Sequence, residues 1–400
     1  MSETKTPTIY VKRGKAKPLF YRHPWVFAGA IEKKEGSCDP GQIVRVCGPE
    51  AEFIGKGYYN PDSAIAVRML TWDEKTEINA DFWRARIADA IALRRETLRM
   101  DEQANAYRLV FSEGDGLPGL IVDKYGDYLV AQFLTRGLAE VRETVLGVLQ
   151  ELCSPVGIYE RAEETFQEVE GGAGVNEPAR GNAPPEMIEI EEHGMKFLVD
   201  IQHGQKTGFY LDQRENRLAF SRYVRGGTIL DCFCHTAPFG LYAAVKGKAE
   251  RVVALDSSER ALETARRNAE LTGVKCLETI RGDAFQEIRR LREGRQQFDA
   301  IVLDPPKFAK SRAGLPGAMK GYKDLNLVAM QIIKKNGILA TCSCSQHVDE
   351  DSFVRILNEA AHDAGRLLQI IEHRTQGPDH PVMASCVETK YLKCLICRVL

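Results

Sequence analysis

Along the first seventy residues the apolar positions fall into short runs broken by glycine, proline and charge. IYVKRG (9–14), WVFAGAIEKKEG (25–36), QIVRVCG (42–48), FIGKGYYNP (53–61) and SAIAVRML (63–70) are such runs. Runs this short with turn residues between them predict strands, and their succession predicts a small β-barrel over residues 8–72. From about 75 to 104 the spacing becomes helical, with Phe82, Ile87, Ala90 and Leu93 on one face and Arg84, Arg86, Arg94 and Arg95 elsewhere. Residues 107–135 return to strands, and the Gly-Asp-Gly and Tyr-Gly-Asp turns of FSEGDGLPGLIVDKYGDYLVAQF (111–133) predict a meander. A helix over about 138–153 completes an α+β middle domain.

EGGAGVNEPARGNAPPE (170–186) has almost no large apolar residue and predicts a flexible linker. Beyond it, strand and helix patterns alternate, the mark of a parallel α/β sheet. Its strands are expected at Thr228–Phe233, Arg251–Asp256, Cys276–Arg281, Phe298–Asp304, Gly337–Cys342, Leu367–His373 and Lys390–Val399. The expected domains are therefore 1–74, 75–185 and 186–400. No internal repeat is visible.

A length of 400 residues suits two or three domains, and 44% hydrophobic with 28% charged residues suits sizeable cores. Fifty-four Lys+Arg against 56 Asp+Glu leave a net charge of -2, which excludes a polycation that binds nucleic acid by bulk charge. A nucleic-acid site must be local. Lys5, Lys12, Arg13, Lys15, Lys17 and Arg22 face only Glu3 in the first 23 residues and precede Trp25 and Phe27, a mixture that suits RNA or, more plainly, a solvated face over a core tryptophan. No apolar run approaches the roughly 18 residues of a membrane span, and the N-terminus lacks a signal-like core, so a cytoplasmic location without membrane contact is expected. The eleven cysteines, odd in number and scattered, should be mostly reduced, which makes a thiol nucleophile available.

Four acids stand at strand ends of the last domain: Asp231, Asp256, Asp283 and Asp304. Ligands of doubly wound sheets bind outside the carboxyl ends of strands, so these acids would line one crevice, although any one of them alone could be a helix cap. Asp256, 25 residues after Asp231, is placed for ribose hydroxyls, and Ser257 or Ser258 would cap the following helix. DCFCHTAPFG (231–240) contains no G-x-G-x-x-G turn to cradle a pyrophosphate, so S-adenosylmethionine fits better than a dinucleotide. In FDAIVLDPPKF (298–308) a buried strand delivers Asp304, Pro305 and Pro306 keep the backbone extended, and Phe308 offers a stacking face. Such a turn can hold a flipped or single-stranded base; a rigid turn without ligand is the plainer reading.

LDPPKF with HGQKTGFYLDQREN (203–216), DCFCHTAPFG, ALDSS (254–258), RGDAF (281–285), GYKDLN (321–326) and CSCSQ (342–346) resembles the S-adenosylmethionine-dependent large-subunit rRNA cytosine C5-methyltransferases. EGDGLPGLIVD (113–123) and GYYNPDSAIAVRML (57–70) extend the likeness over nearly the whole chain. The resemblance implies a multidomain fold: an N-terminal PUA-like β-barrel, a middle α+β domain and a C-terminal Rossmann-like methyltransferase domain. It implies that Cys344, in the Cys-Ser pair before Asp349-Glu350-Asp351, is the nucleophile and that Asp304 binds the cytosine N3/N4 edge as the other catalytic group, beside Pro305, Pro306 and Phe308. Asp231 and the loop from Phe233 would approach the methionine part of the cofactor, Asp256 and Ser257 the ribose, and Asp283 the adenine amine. Phe209 and Gln213 would close over the pocket. The implied partner is large-subunit rRNA; a homodimer is left open.

One departure stands out. The family's first loop reads Thr-Gly-Gly-Phe, whereas this chain has Thr236-Ala237-Pro238-Phe239. Three alternatives follow from the residues: an N-methyltransferase of an rRNA purine, which needs no cysteine; a non-catalytic RNA-binding assembly factor, which the departure favours; and a thiolate metal site from Cys342, Cys344, Cys394 and Cys397. No resident metal is expected, and His203, His235, His347 and His380 are read as structural.

Overall fold

Strands form where the apolar runs place them. The computed structural model describes residues 6–163, 170, 174–308 and 312–400. In it β1 (Thr8–Val11), β2 (Trp25–Phe27), β3 (Ile31–Glu35), β4 (Ile43–Cys47), β5 (Phe53–Tyr59) and β6 (Ile65–Thr71) pair in the order β2-β6-β5-β4-β1-β3. WVFAGAIEKKEG does not run as one strand, because a turn at Ala28–Ala30 sends β2 to β6 and β3 to β1. Ile9, Val11, Val44, Val46, Ile54 and Val67 alternate inward to make its core.

β7 (Ala106–Phe111), β8 (Leu120–Tyr125) and β9 (Tyr128–Phe133) form the antiparallel meander, and β10 (Gly157–Arg161) joins β9 in parallel. The helix Ala80–Ala92, capped by the Asn79 side chain, packs Phe82, Trp83 and Ile87 into their core. Tyr58 and Leu70 of the first sheet enter that same core, so the two segments make one packed body. The expected helix over 138–153 breaks at Val141 into Arg136–Glu140 and Arg142–Cys153.

The linker expectation needs correction. β11 (Asn176–Gly181) pairs antiparallel with β10 as an edge strand. Edge pairing uses backbone groups, so a segment of exposed polar residues with a proline forms it without apolar side chains. Glu170, in the same stretch, is buried and accepts from Asn60 Nδ2 (2.8 Å), Ser63 Oγ (2.8 Å) and Arg68 Nη2 (3.3 Å).

The chain divides into two units: Met1–Ile190, Val199–Leu211 and Pro378–Thr389 make the first; Glu191–Leu198, Asp212–Gly377 and Lys390–Leu400 the second. The hairpin of β12 (Ile188–Glu192) and β13 (Met195–Val199) carries the chain from one to the other and back. In the second unit β14 (Thr228–Cys232), β15 (Arg251–Asp256), β16 (Leu277–Arg281), β17 (Phe298–Leu303), β18 (Ile333–Ser343), β19 (Leu368–Arg374) and β20 (Lys393–Val399) form a sheet of order β16-β15-β14-β17-β18-β20-β19. β14 to β18 are parallel, but β20 lies antiparallel between β18 and β19. The sheet is therefore not wholly parallel: an antiparallel return needs no crossover helix, and the chain reaches β20 through the 375–392 segment alone. Among the described residues no helix is long and apolar enough to cross a membrane.

Candidate active site

The order of the sheet reverses direction beside β14, and the acids gather at the carboxyl ends there. Asp231 lies inside β14, 1% exposed, and its Oδ2 accepts from the Gly240 N–H at 2.9 Å. Between them Phe233, His235 and Ala237 take φ of +59°, +51° and +59°, a left-handed backbone that costs side-chain-bearing residues about 1–2 kcal/mol each. Three such residues in five positions hold a tight loop that glycines would form without strain. Ala237 immediately precedes the helix Pro238–Val245, and Pro238 occupies its first turn, where the missing N–H costs the helix no bond. The Thr236 hydroxyl is buried and, among the described residues, has no hydrogen-bond partner.

Asp256 ends β15 and accepts from the His235 N–H at 2.8 Å and the Ser258 N–H at 2.9 Å. Ser258, not Ser257, caps the helix Glu259–Leu271 by accepting from the Ala261 N–H; Ser257 is exposed. Asp283, exposed, caps the helix Ala284–Glu293 through the Gln286 N–H at 3.0 Å, the plainer role weighed for it.

Asp304 follows β17, and its Oδ2 accepts from Gln213 Nε2 at 3.0 Å; Gln213 in turn accepts from Asn216 Nδ2 at 2.6 Å. Pro305 is buried and Pro306 exposed. Phe308 stacks obliquely on Tyr322, ring centres 4.6 Å apart, and touches Phe285, so one of its faces is already taken by protein. Cys344 stands just past the end of β18, partly exposed, in a cluster with Cys342, Leu392 and Cys394. The serines on either side of it both bond to one hydroxyl: Ser343 Oγ donates to Tyr322 Oη at 3.0 Å, and Ser345 Oγ lies 3.1 Å from the same atom. Tyr322 thus fixes the Cys344 turn, a role its place in GYKDLN did not disclose.

β17 and β18 run parallel with Leu303 beside Thr341, so the Asp304 turn and the cysteine turn emerge next to each other. Phe209 belongs to the first unit, where its N–H donates to Tyr125 Oη at 3.1 Å. Cys394 and Cys397, three apart on a strand, face opposite sides of β20, Cys397 entering the main core and Cys394 the small cluster. The four-thiolate metal site does not assemble.

A family model described as S-adenosylmethionine-dependent methyltransferase matches residues 176–398, more than half of the chain, and a PUA-like domain model matches residues 9–72. The chain belongs to the S-adenosylmethionine-dependent methyltransferases. "Ribosomal RNA large subunit methyltransferase I" of Escherichia coli strain SMS-3-5 is 40% identical over 394 residues, 98% of this chain and 99% of the relative. The protein of that name from strain K12 is 41% identical over the same span. A solved structure from Streptococcus mutans shares the fold, with a TM-score of 0.84 at 20% identity over 98% of this chain and 99% of that one. A second, solved in complex with SAH, has a TM-score of 0.85 at 20% identity and the same coverage.

The methyltransferase has a pocket chemistry that fits this cofactor. Burial, then repulsion from Asp304 and Asp256, pushes the Asp231 carboxyl up to about 7 against the bond from Gly240. An under-compensated buried acid, with an unpartnered hydroxyl in the loop that follows it, suits a ligand that brings positive charge and polar groups. When bound, S-adenosylmethionine supplies an electrophilic methyl group.

Two predictions arise here. A Cβ added at Gly240 would lie 2.6 Å from Val252 Cγ1 and 3.2 Å from Asp231 Oδ2. Gly240→Ala should therefore cost about 1–3 kcal/mol, seen by thermal melting, and weaken cofactor binding, seen by calorimetric titration. The second concerns pH. With its folded value above the ordinary 3.8, Asp231 holds its proton in the folded state while the unfolded chain releases it. The contribution favouring the fold is complete below about pH 4 and is lost as pH rises to about 7. Asp231→Asn should remove that slope from the stability profile of the protein alone.

Proposed function

We propose that this methyltransferase places a methyl group on C5 of a cytosine in large-subunit rRNA, through a covalent bond between Cys344 and C6 of the base. The observation that carries the reading is a partly exposed cysteine at the end of β18 beside the Asp304-Pro305-Pro306 turn at the end of β17. Cytosine C5 is too electron-poor to attack a methyl group unaided, so a thiolate must first add to C6 and make C5 enamine-like. Asp304, held by Gln213, would bind the N3/N4 edge as the protonated acid, giving its proton to N3 as addition puts negative charge on the ring and taking it back when the sulfur leaves. After transfer the C5 proton leaves to a base, the Cys344 sulfur departs and the ring regains its aromaticity. Asp231, the Phe233 to Ala237 loop and Asp256 would hold the cofactor, with Asp283 and Ser257 at its adenosine end.

The names of the two relatives support rRNA as the substrate. So does the PUA-like segment, which exposes Phe20 at 51%, Tyr21 at 72% and Phe27 at 49% beside Lys15, Lys17 and Arg22. Exposed aromatics beside cations suit unpaired bases and phosphates. The test is transfer of labelled methyl to large-subunit rRNA lacking the modification, with the product nucleoside identified by mass spectrometry. 5-Methylcytidine is expected. A methylated purine would promote N-methylation on the same fold, and no transfer with no cofactor binding would leave a scaffold protein.

A further inference from the structure

Lysine is rarely buried, and Lys393 is only 5% exposed, at the start of a closing strand whose other buried residues are apolar. Its place is set by register: on β20 it lies opposite Ser343, the residue before Cys344. Its ammonium then reaches past the end of β18 and donates to the Ser345 carbonyl at 2.7 Å, the residue after Cys344, and to the Tyr391 carbonyl at 3.0 Å. The strand register thus sets Lys393 beside the residue before Cys344, and its ammonium is held at the residue after it.

We propose that Lys393 is the positioning residue of the nucleophile: its clamped ammonium favours the thiolate of Cys344 and fixes the turn that presents it. The inference rests on the reading of Cys344 as nucleophile. Both atoms that hold the ammonium are neutral carbonyl oxygens, so its charge is not cancelled where it is bound. The acids facing it have other partners. Asp349 caps the helix Glu350–Asp363 through the Ser352 N–H at 2.7 Å, and Glu350 pairs with Lys390 at 3.0 Å and His373 at 2.7 Å. Tyr322 approaches as a neutral phenol, and Cys342, pushed up by its contact with Cys394 and by burial, stays a neutral thiol. Burial draws Lys393 down to about 8 while Cys344, then Asp349, oppose the fall. The lysine is thus charged at neutral pH, and a cation that interacts with a neighbouring thiol lowers its proton affinity, releasing the S–H proton to solvent.

The test reads the thiol itself. Iodoacetamide labelling of Cys344 is followed against pH by peptide mass spectrometry, in the full chain without RNA or cofactor. The wild type should label with a midpoint below the ordinary thiol value of about 8.5. Lys393→Gln keeps an N–H for the Ser345 carbonyl but loses the charge; it should raise the midpoint and slow labelling at pH 7 by about tenfold. Lys393→Arg should stay near the wild type. A Gln profile that overlays the wild type overturns the proposal. So does a wild-type midpoint at or above the ordinary value, a result that holds even where the variants fold poorly. Since labelling needs no methyl transfer, a different nucleophile in the rRNA reaction would sink the first reading and leave this measurement standing on its own.

Discussion

Cys344→Ala is expected to abolish 5-methylcytidine formation, a fall of at least about 10⁴-fold, while leaving S-adenosylmethionine binding intact. The size follows from the chemistry: without addition at C6 there is no nucleophilic carbon at C5, and among the described residues no neighbouring group replaces the sulfur. Cys342 is the nearest substitute, but it is fully buried, and contact with Cys394 and burial push its thiol well up. The groups proposed to hold the cofactor lie at β14 and β15, on other strands, so binding measured by calorimetry should match the wild type. If the variant still methylates a purine, the transfer never used the cysteine. If it loses cofactor binding as well, Cys344 has a structural role that the geometry does not assign to it.

The second large effect is on stability. Glu192 and Arg217 are both 0% exposed and face each other through two bonds of 2.9 and 2.8 Å. Arg217 is carried by the helix Arg214–Ser221, which follows directly on Gln213, the partner of Asp304. Arg217→Ala would leave a carboxylate buried with no countercharge, and breaking such a pair costs about 3–5 kcal/mol. The drop should appear as a lower urea midpoint. Replacing both partners with apolar residues, Glu192→Leu with Arg217→Met, should recover most of it, since desolvation then no longer opposes folding. Near-equal loss in the single and double variants would mean that packing, not charge, dominates the site.

Local signals made much of this legible. Each strand of the second unit's sheet was visible as an apolar run, and the acids at their ends followed from those boundaries, because strand ends and ligand crevices coincide in such sheets. What required partners from elsewhere was not visible. For Asp283 an acid before a helix could not be told as cap or ligand group from sequence alone, and the structure shows it capping through Gln286. Glu170 lies in a stretch that composition marks as linker, yet its carboxylate is satisfied by Asn60, Ser63 and Arg68, about a hundred residues earlier. Lys393 reads as one charge in a strand until the antiparallel register sets it opposite Ser343. The strain at Phe233, His235 and Ala237 left only a faint trace, the missing glycines of the first loop.

The central claim is the covalent bond. Large-subunit rRNA made with 5-fluorocytidine, incubated with the enzyme and S-adenosylmethionine, replaces the C5 proton by a fluorine that cannot leave as a cation. The adduct should then persist, shift the protein on a denaturing gel, and map by peptide mass spectrometry to Cys344. A complex absent from rRNA that is otherwise methylated, or one that maps to Cys342 or another residue, would contradict the account.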